Sequence, residues 1–337
     1  MIRQRSDSIQ IPFHSMKNKK PRKGIRILKW VGRVLLVQLI LINISAAFHA
    51  YRFTHYYDDD KIRNQQSSQG KPLLRTWRLM TGRKLAKSLI QYYPTIPYDT
   101  IHLTTKNGIK LEAWYMKADS AIGTVILFHG LNSNKGNVLG EAFEFISFGY
   151  NAMLVDIRAH GNSEGIANSL GYKEAEEVKL AYDHISKMGE KNIVLWGMSL
   201  GAVIISKSIW QYDLQPQKII LEMPFNRLED HISSRARNSG FPGEPFGFFV
   251  TLWSGIEQGY WAYGHKTSRY VKRINNPVLL QWGNNDDYVS KKEIEKIFAA
   301  INSSNKKLEI YDGAGHGPLV SVNETKWREV VNNFLKN

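Results

Sequence analysis

The chain has no cysteine among its 337 residues. That excludes a disulfide framework, a cysteine-based zinc site and a thiol nucleophile, and it suits an extracytoplasmic location. Internal repeats are absent, and no collagen, coiled-coil or solenoid period runs through the 26 glycines and 11 prolines. There is no H-E-x-x-H pair, no P-loop and no dinucleotide-binding glycine fingerprint, and the 10 histidines show no metal-ligand spacing. Neither a metal nor a nucleotide cofactor is therefore expected. Acidic excess is lacking as well: the formal net charge is +15. Its distribution argues against a nucleic-acid partner. Residues 1–33 carry +9, residues 34–100 carry +5, and residues 101–337 carry only +1. A membrane explains a basic N-terminus better than DNA does.

Lys17, Lys19, Lys20, Arg22, Lys23, Arg26, Lys29 and Arg33 precede an apolar run from Val34 to Phe48, which reaches back to Trp30 if Arg33 snorkels. At about 1.5 Å per helical residue, that run approaches the roughly 30 Å hydrocarbon core of a bilayer. We expect a basic cytoplasmic tail over 1–29 and a transmembrane signal anchor over 30–50, with the remainder exported. The aromatic Phe48–Phe53 stretch suits an interfacial belt, whereas Ser45-Ala46-Ala47 offers a rival reading as a signal-peptide cleavage site. Met16-Lys17-Asn18-Lys19-Lys20 reads as a natural start. Residues 51–97 are expected to form a linker and docking segment, with a basic helix over 76–93 that stops before Pro94.

From Tyr98 the character changes. Two alternating segments, 101–105 and 109–115, flank Lys106-Asn107-Gly108 and read as a hairpin. Short apolar runs follow at 124–128, 151–155, 193–196, 218–222, 278–282 and 307–311, with helical stretches such as 140–147, 173–188, 200–212 and 291–300 between them. Continuous apolar strands alternating with helices predict βαβ units and a mostly parallel central sheet with flanking helices. Residues 224–276 interrupt the rhythm with many aromatics and are expected to be an inserted helical cap. Its aromatics either line an acyl pocket or simply pack the cap onto the sheet.

The most informative stretch is Gly197-Met198-Ser199-Leu200-Gly201, set between an apolar strand and a small-residue helix. A G-x-S-x-G in this setting is a nucleophile elbow, whose glycines permit a tight strand-to-helix turn that exposes the serine. Gly161-Asn162-Ser163-Glu164-Gly165 matches the same pattern but follows polar residues and opens no helix, so Ser199 is the expected nucleophile. A serine nucleophile needs a base and an acid to orient it. Two later strand ends supply them: Asp286 and Asp287 follow the 277–282 strand, and His316 follows the 307–311 strand. The order Ser199, Asp286, His316 is that of neither chymotrypsin-type nor subtilisin-type enzymes.

With these residues in view, Tyr98 to Asn337 resembles the α/β-hydrolase superfamily. The likeness is nearest to membrane-anchored bacterial hydrolases of the serine aminopeptidase/monoglyceride lipase-like and Bem46-like groups. It rests on His129-Gly130-Leu131, Asp156-x-Arg158-x-His160-Gly161-x-Ser163, the Ser199 pentapeptide, Gly283-x-x-Asp286-x-x-Val289 and Gly315-His316. The resemblance implies an α/β-hydrolase domain over 98–337, selects Asp286 over Asp287, and implies an oxyanion hole from the backbone N–H groups of Leu131 and Leu200. It makes His129 structural and the Asp156–His160 loop a brace, read here as a buried ion pair. The activity implied is that of a serine hydrolase, with carboxylic esters first. Peptidase, aminopeptidase-like or thioesterase chemistry is the alternative on the same residues, and an idle scaffold binding an envelope ligand is the non-enzymatic one. No acidic pocket for a substrate amine is identifiable, which ranks ester ahead of aminopeptidase.

Overall fold

The computed structural model describes residues 23–65 and 72–337. The expected basic tail up to Arg22, the Met16 start and the Gln66–Gly70 part of the linker lie outside those residues. The chain divides into two compact units, one ending at Ile42 and one spanning Asn43–Asn337.

In the first unit the helix α1 (Lys23–Thr54) begins. Ile27, Leu28, Trp30, Leu35, Leu36, Ile40 and Leu41 are all exposed, so its apolar side chains have no protein cover. Helix α1 is long and apolar enough to cross a membrane. Its last turns belong to the second unit, where Ala46, Ala50 and Thr54 recur every four residues and bury one face.

An eight-stranded sheet organises the second unit. Its strands are β1 (Tyr98–Thr104), β2 (Lys110–Met116), β3 (Gly123–Phe128), β4 (Tyr150–Val155), β5 (Ile193–Met198), β6 (Lys218–Glu222), β7 (Val278–Gly283) and β8 (Lys306–Tyr311). They lie in the order β8-β7-β6-β5-β3-β4-β2-β1. Strands β3 to β8 run parallel, and the expected β1–β2 hairpin adds an antiparallel edge. Strands β3 and β7, each paired on both sides, are buried along their whole length, as continuous Val/Ile/Leu-rich runs require when helices cover both faces. The helices that follow α1 and are labelled here are α2 (Pro72–Thr81), α3 (Leu139–Ser147), α4 (Ala175–Lys187), α5 (Leu200–Tyr212), α6 (Leu228–Asn238), α7 (Phe246–Gln258), α8 (Lys291–Ala300) and α9 (Glu324–Lys336). The chain leaves β3 toward β4 on one side, and β5 flanks β3 on the other. This reversal opens a crevice beyond the carboxyl ends of β3 and β5, where ligands bind in open α/β sheets.

The 224–276 insertion carries α6 and α7 between β6 and β7. The two helices approach closely at Gly247, where a Cβ would lie 2.0 Å from Ser233 Oγ. Most of the insertion's aromatics pack: Phe225 and Tyr270 are buried, while Phe248 and Trp261 stand exposed.

The 51–97 region departs from expectation. Its helices run over Asp60–Gln65 and Pro72–Thr81 and not over 76–93. Gly82 ends the second at φ +75°, a left-handed conformation that favours glycine. Beyond it Leu85–Ala86 pairs in parallel with Tyr56–Tyr57, and Lys87 N donates to Tyr57 O at 2.9 Å. Nor is 51–65 a free linker: Tyr56 is buried, and its N–H donates to Ile166 O at 2.7 Å. The compact unit that carries the sheet begins at Asn43, well before Tyr98.

Candidate active site

Four loops meet beyond the carboxyl ends of β3, β5, β7 and β8. The turn from β5 into α5 holds Ser199 at φ +52° and ψ −112°, a conformation that costs a non-glycine residue free energy and marks a constrained turn. Two glycines permit it. A Cβ on Gly201 would lie 2.0 Å from Phe128 O, and one on Gly197 would lie 2.5 Å from the Gly201 carbonyl carbon. The Ser199 N–H donates to Glu222 O at 2.7 Å, pinning the turn to the end of β6.

His316 follows β8 and reaches Ser199 Oγ with Nε2 at 2.9 Å. Its Nδ1 lies 2.7 Å from Asp286 Oδ2. The Asp286 carboxylate is fully buried, and its other oxygen accepts the backbone N–H groups of Tyr288 and Val289 at 2.8 and 2.9 Å. These bonds fix the carboxylate, which as an acceptor-only group fixes the proton of His316 on Nδ1 and leaves Nε2 to accept from the serine. Asp287, the rejected neighbour, is exposed.

The first in-helix bond of α5 is from Val203 N to Ser199 O, so the preceding amides, Leu200 included, have no carbonyl of the helix to bond. The loop after β3 approaches the same point. A Cβ on Gly130 would lie 3.5 Å from Ser199 Cβ, and Leu131 comes next. Asn132 then turns at φ +60° and donates its N–H to His160 Nε2 at 3.1 Å.

Other sequence-nominated residues form the support. Ser163 is buried, donating to Asp156 O at 2.6 Å and accepting from Glu112 N at 2.9 Å, which removes it as a rival nucleophile. His129 accepts from Ile157 N at 3.2 Å and donates to Gly130 O at 2.8 Å, stitching the β3 and β4 loops together. Burial lowers its pKa to about 4 and that of His160 to about 3, so both are neutral braces. The ion pairs in the brace have non-local partners: Asp156 pairs with buried Lys135, and Arg158 pairs with Glu177.

Sequence reading missed the cap face of the site. On α6, His231 and Arg235 lie one turn apart, and Phe225 stacks on the His231 ring at 4.5 Å. The Arg235 guanidinium sits over Phe53 at 5.5 Å and over Tyr288 at 5.2 Å. The Tyr288 ring meets His316 edge-on at 5.2 Å. Only the residue types were available in the sequence. Nothing local ties position 235 to position 316.

No group of three or more His, Asp or Glu able to hold a metal occurs among the described residues.

Comparison with known proteins agrees with this fold. The model of the serine aminopeptidase, S33 family matches residues 119–240, which include the Ser199 elbow. The membrane protein YNL320W of Saccharomyces cerevisiae is 26% identical over 251 residues, covering 71% of this chain and 80% of that one. The lysophosphatidylserine lipase ABHD12 of Danio rerio is 28% identical over 188 residues, covering 52% and 47%. Among solved structures, the Pyrococcus furiosus esterase Pf2001 superposes with a TM-score of 0.61 at 21% identity, over 74% of this chain and 97% of that one.

Proposed function

We propose that this chain, a member of the α/β-hydrolase superfamily, is a serine hydrolase that cleaves carboxylic esters through an acyl-enzyme. The observation that carries the reading is the continuous hydrogen-bonded path Ser199 Oγ–His316 Nε2, His316 Nδ1–Asp286 Oδ2. In this reading Ser199 Oγ attacks the ester carbonyl while His316 Nε2 takes its proton. The Asp286 carboxylate stabilises the resulting imidazolium. The N–H groups of Leu200 and Leu131 hold the oxyanion, where each donor is worth about 2.7–4 kcal/mol. The tetrahedral intermediate collapses, the alcohol leaves with the His316 proton, and water repeats the sequence to release the acid. No cofactor enters. Peptide or thioester cleavage is the alternative on the same residues. An idle scaffold is disfavoured by a complete proton path, which a binding protein has no need to keep.

The chain is read as held in the cell membrane by α1 as a single-pass anchor, with the 98–337 domain and its 224–276 cap outside the cytoplasm. The uncovered apolar side chains of α1 support this, as does the yeast relative described as a membrane protein. Burial of Ala46 and Ala50 in the second unit favours retention of α1 over cleavage at 45–47. Partners are small or lipid-like acyl substrates and the membrane, with no nucleic acid.

The test is turnover of matched acyl esters, acyl thioesters and aminoacyl amides by the full chain and by S199A. Ester cleavage at least tenfold above the other two classes, lost in S199A, is the expected result. A preference for amides would overturn the ester assignment.

A further inference from the structure

Two polar groups on α6, beside the site, are short of partners. Arg235 is mostly buried, and its guanidinium makes no ion pair among the described residues. Its one hydrogen bond there runs from Nε to His231 Nε2 at 3.3 Å. That bond makes His231 Nε2 the acceptor and puts the imidazole proton on Nδ1, which is buried without a partner.

Such a combination is costly unless something completes it. Buried donors are nearly always paired, and a buried cation without a counter-charge is the more expensive case. The aromatic faces of Phe53 and Tyr288 offset part of that cost through cation–π attraction but accept no hydrogen bond from the in-plane N–H groups. A guanidinium and an imidazole N–H together present donors and positive charge. They are complementary to an oxyanion, and a planar guanidinium fork suits carboxylate or phosphate oxygens in particular. Position matters equally. The two 5.2 Å steps from Arg235 to Tyr288 and from Tyr288 to His316 keep the guanidinium within about 10 Å of the imidazole that would serve Ser199.

We propose that Arg235 and His231 bind an anionic group, a carboxylate or a phosphate, carried by the ester substrate a few bonds from the acyl carbon that Ser199 attacks. The proposal rests on the hydrolase reading for its position and on the unpaired donors for its chemistry. It makes the cap helix α6 a specificity element: it selects acidic esters by supplying a counter-charge. The last turn of α1, through Phe53, forms one wall of the same subsite.

The experiment uses the full chain in detergent micelles, with phenyl phosphate, benzoate and benzyl alcohol as probes that share a ring and differ in charge. Thermal unfolding is followed for the wild type and R235Q. The anionic probes are expected to raise the Tm of the wild type, and benzyl alcohol to leave it unmoved. The response to the anions is expected to disappear in R235Q and to return in part in R235K. Phenyl phosphate against benzoate separates phosphate from carboxylate as the bound group. This readout needs no turnover, so it stays informative if the chain proves not to be an esterase. In turnover, the ratio of kcat/KM for an acylglycerol phosphate to that for the neutral acylglycerol is expected to fall at least tenfold in R235Q. Equal responses to all three probes, or an R235Q variant that responds like the wild type, would overturn the proposal. So would an unchanged ratio in turnover.

Discussion

His316 Nδ1 lies 2.7 Å from an Asp286 carboxylate that is wholly withdrawn from water and held by two backbone N–H groups. A carboxylate so placed cannot rotate away, and its charge reaches the imidazole unscreened by solvent. Replacing it with an amide removes that charge and disturbs the tautomer that Ser199 needs. The expected loss in kcat for Asp286→Asn is about 10⁴-fold. Asp287→Asn, on an exposed neighbour, should leave kcat within about twofold, since surface changes of this kind are usually small. Steady-state kinetics on both variants checks the assignment, and equal losses would contradict it.

The elbow depends on the absence of a side chain at residue 201. A Cβ there would sit 2.0 Å from Phe128 O, a backbone atom that cannot swing aside. Gly201→Ala should therefore force the start of α5 away from the end of β3, at a cost of a few kcal/mol by the overpacking rule. Thermal unfolding should show a Tm several degrees lower, and serine labelling should slow in parallel. A variant with unchanged Tm and unchanged labelling would contradict the packing argument.

Asp156 accepts the Lys135 ammonium, the Lys135 N–H at 2.7 Å and the Asn162 N–H at 2.9 Å, all out of water. Removing the charge of one member of a buried pair strands the other and typically costs about 3–5 kcal/mol. Asp156→Asn is expected to lose stability in that range by denaturant unfolding, with Glu112, 3.0 Å from Lys135 Nζ, moderating the loss.

Two carboxyls under the sheet set a pH dependence of stability. Burial pushes the pKa of Glu141 up to about 8 and that of Glu222 up to about 7. Glu222 Oε1 accepts from Trp196, Gln281 and Trp327, but Glu222 Oε2 and Glu141 Oε1 have no partner. Folding therefore retains protons that the unfolded chain has released above about 4.5. Stability from these groups is complete below that value and is lost as pH rises through 7 to 8. Glu141→Gln, neutral at every pH, should flatten the fall in Tm between pH 5 and 8.5. Parallel Tm curves for the variant and the wild type would contradict the assignment.

If α1 is an uncleaved anchor, the full chain in bacterial spheroplasts should stay in the membrane pellet after alkaline carbonate. External protease should remove the sheet domain and spare an N-terminal tag. Release of the domain into the soluble fraction would favour cleavage near 45–47.

Much of the site was legible because its residues sit at strand ends, which local hydrophobic runs locate. Ser199, Asp286 and His316 each follow such a run, and the alternation of strand and helix supplies the layer that brings them together. Legibility failed where non-local contacts decide. The basic 76–93 segment has helical composition, yet Gly82 stops the helix and the chain beyond pairs with Tyr56–Tyr57. Lys135 and Glu177 carried no sign of pairing with Asp156 and Arg158, since a buried ion pair leaves no periodic trace. Arg235 is the clearest case. Within an aperiodic insertion its position looked like any surface arginine, and only the fold lays it across Tyr288 beside His316.

The most direct test of the central claim is labelling of the purified full chain with a fluorophosphonate, followed by peptide mapping, with S199A as control. Modification confined to Ser199, absent from S199A, is the expected result. A folded protein that resists the reagent, or one labelled at Ser163, would contradict the account.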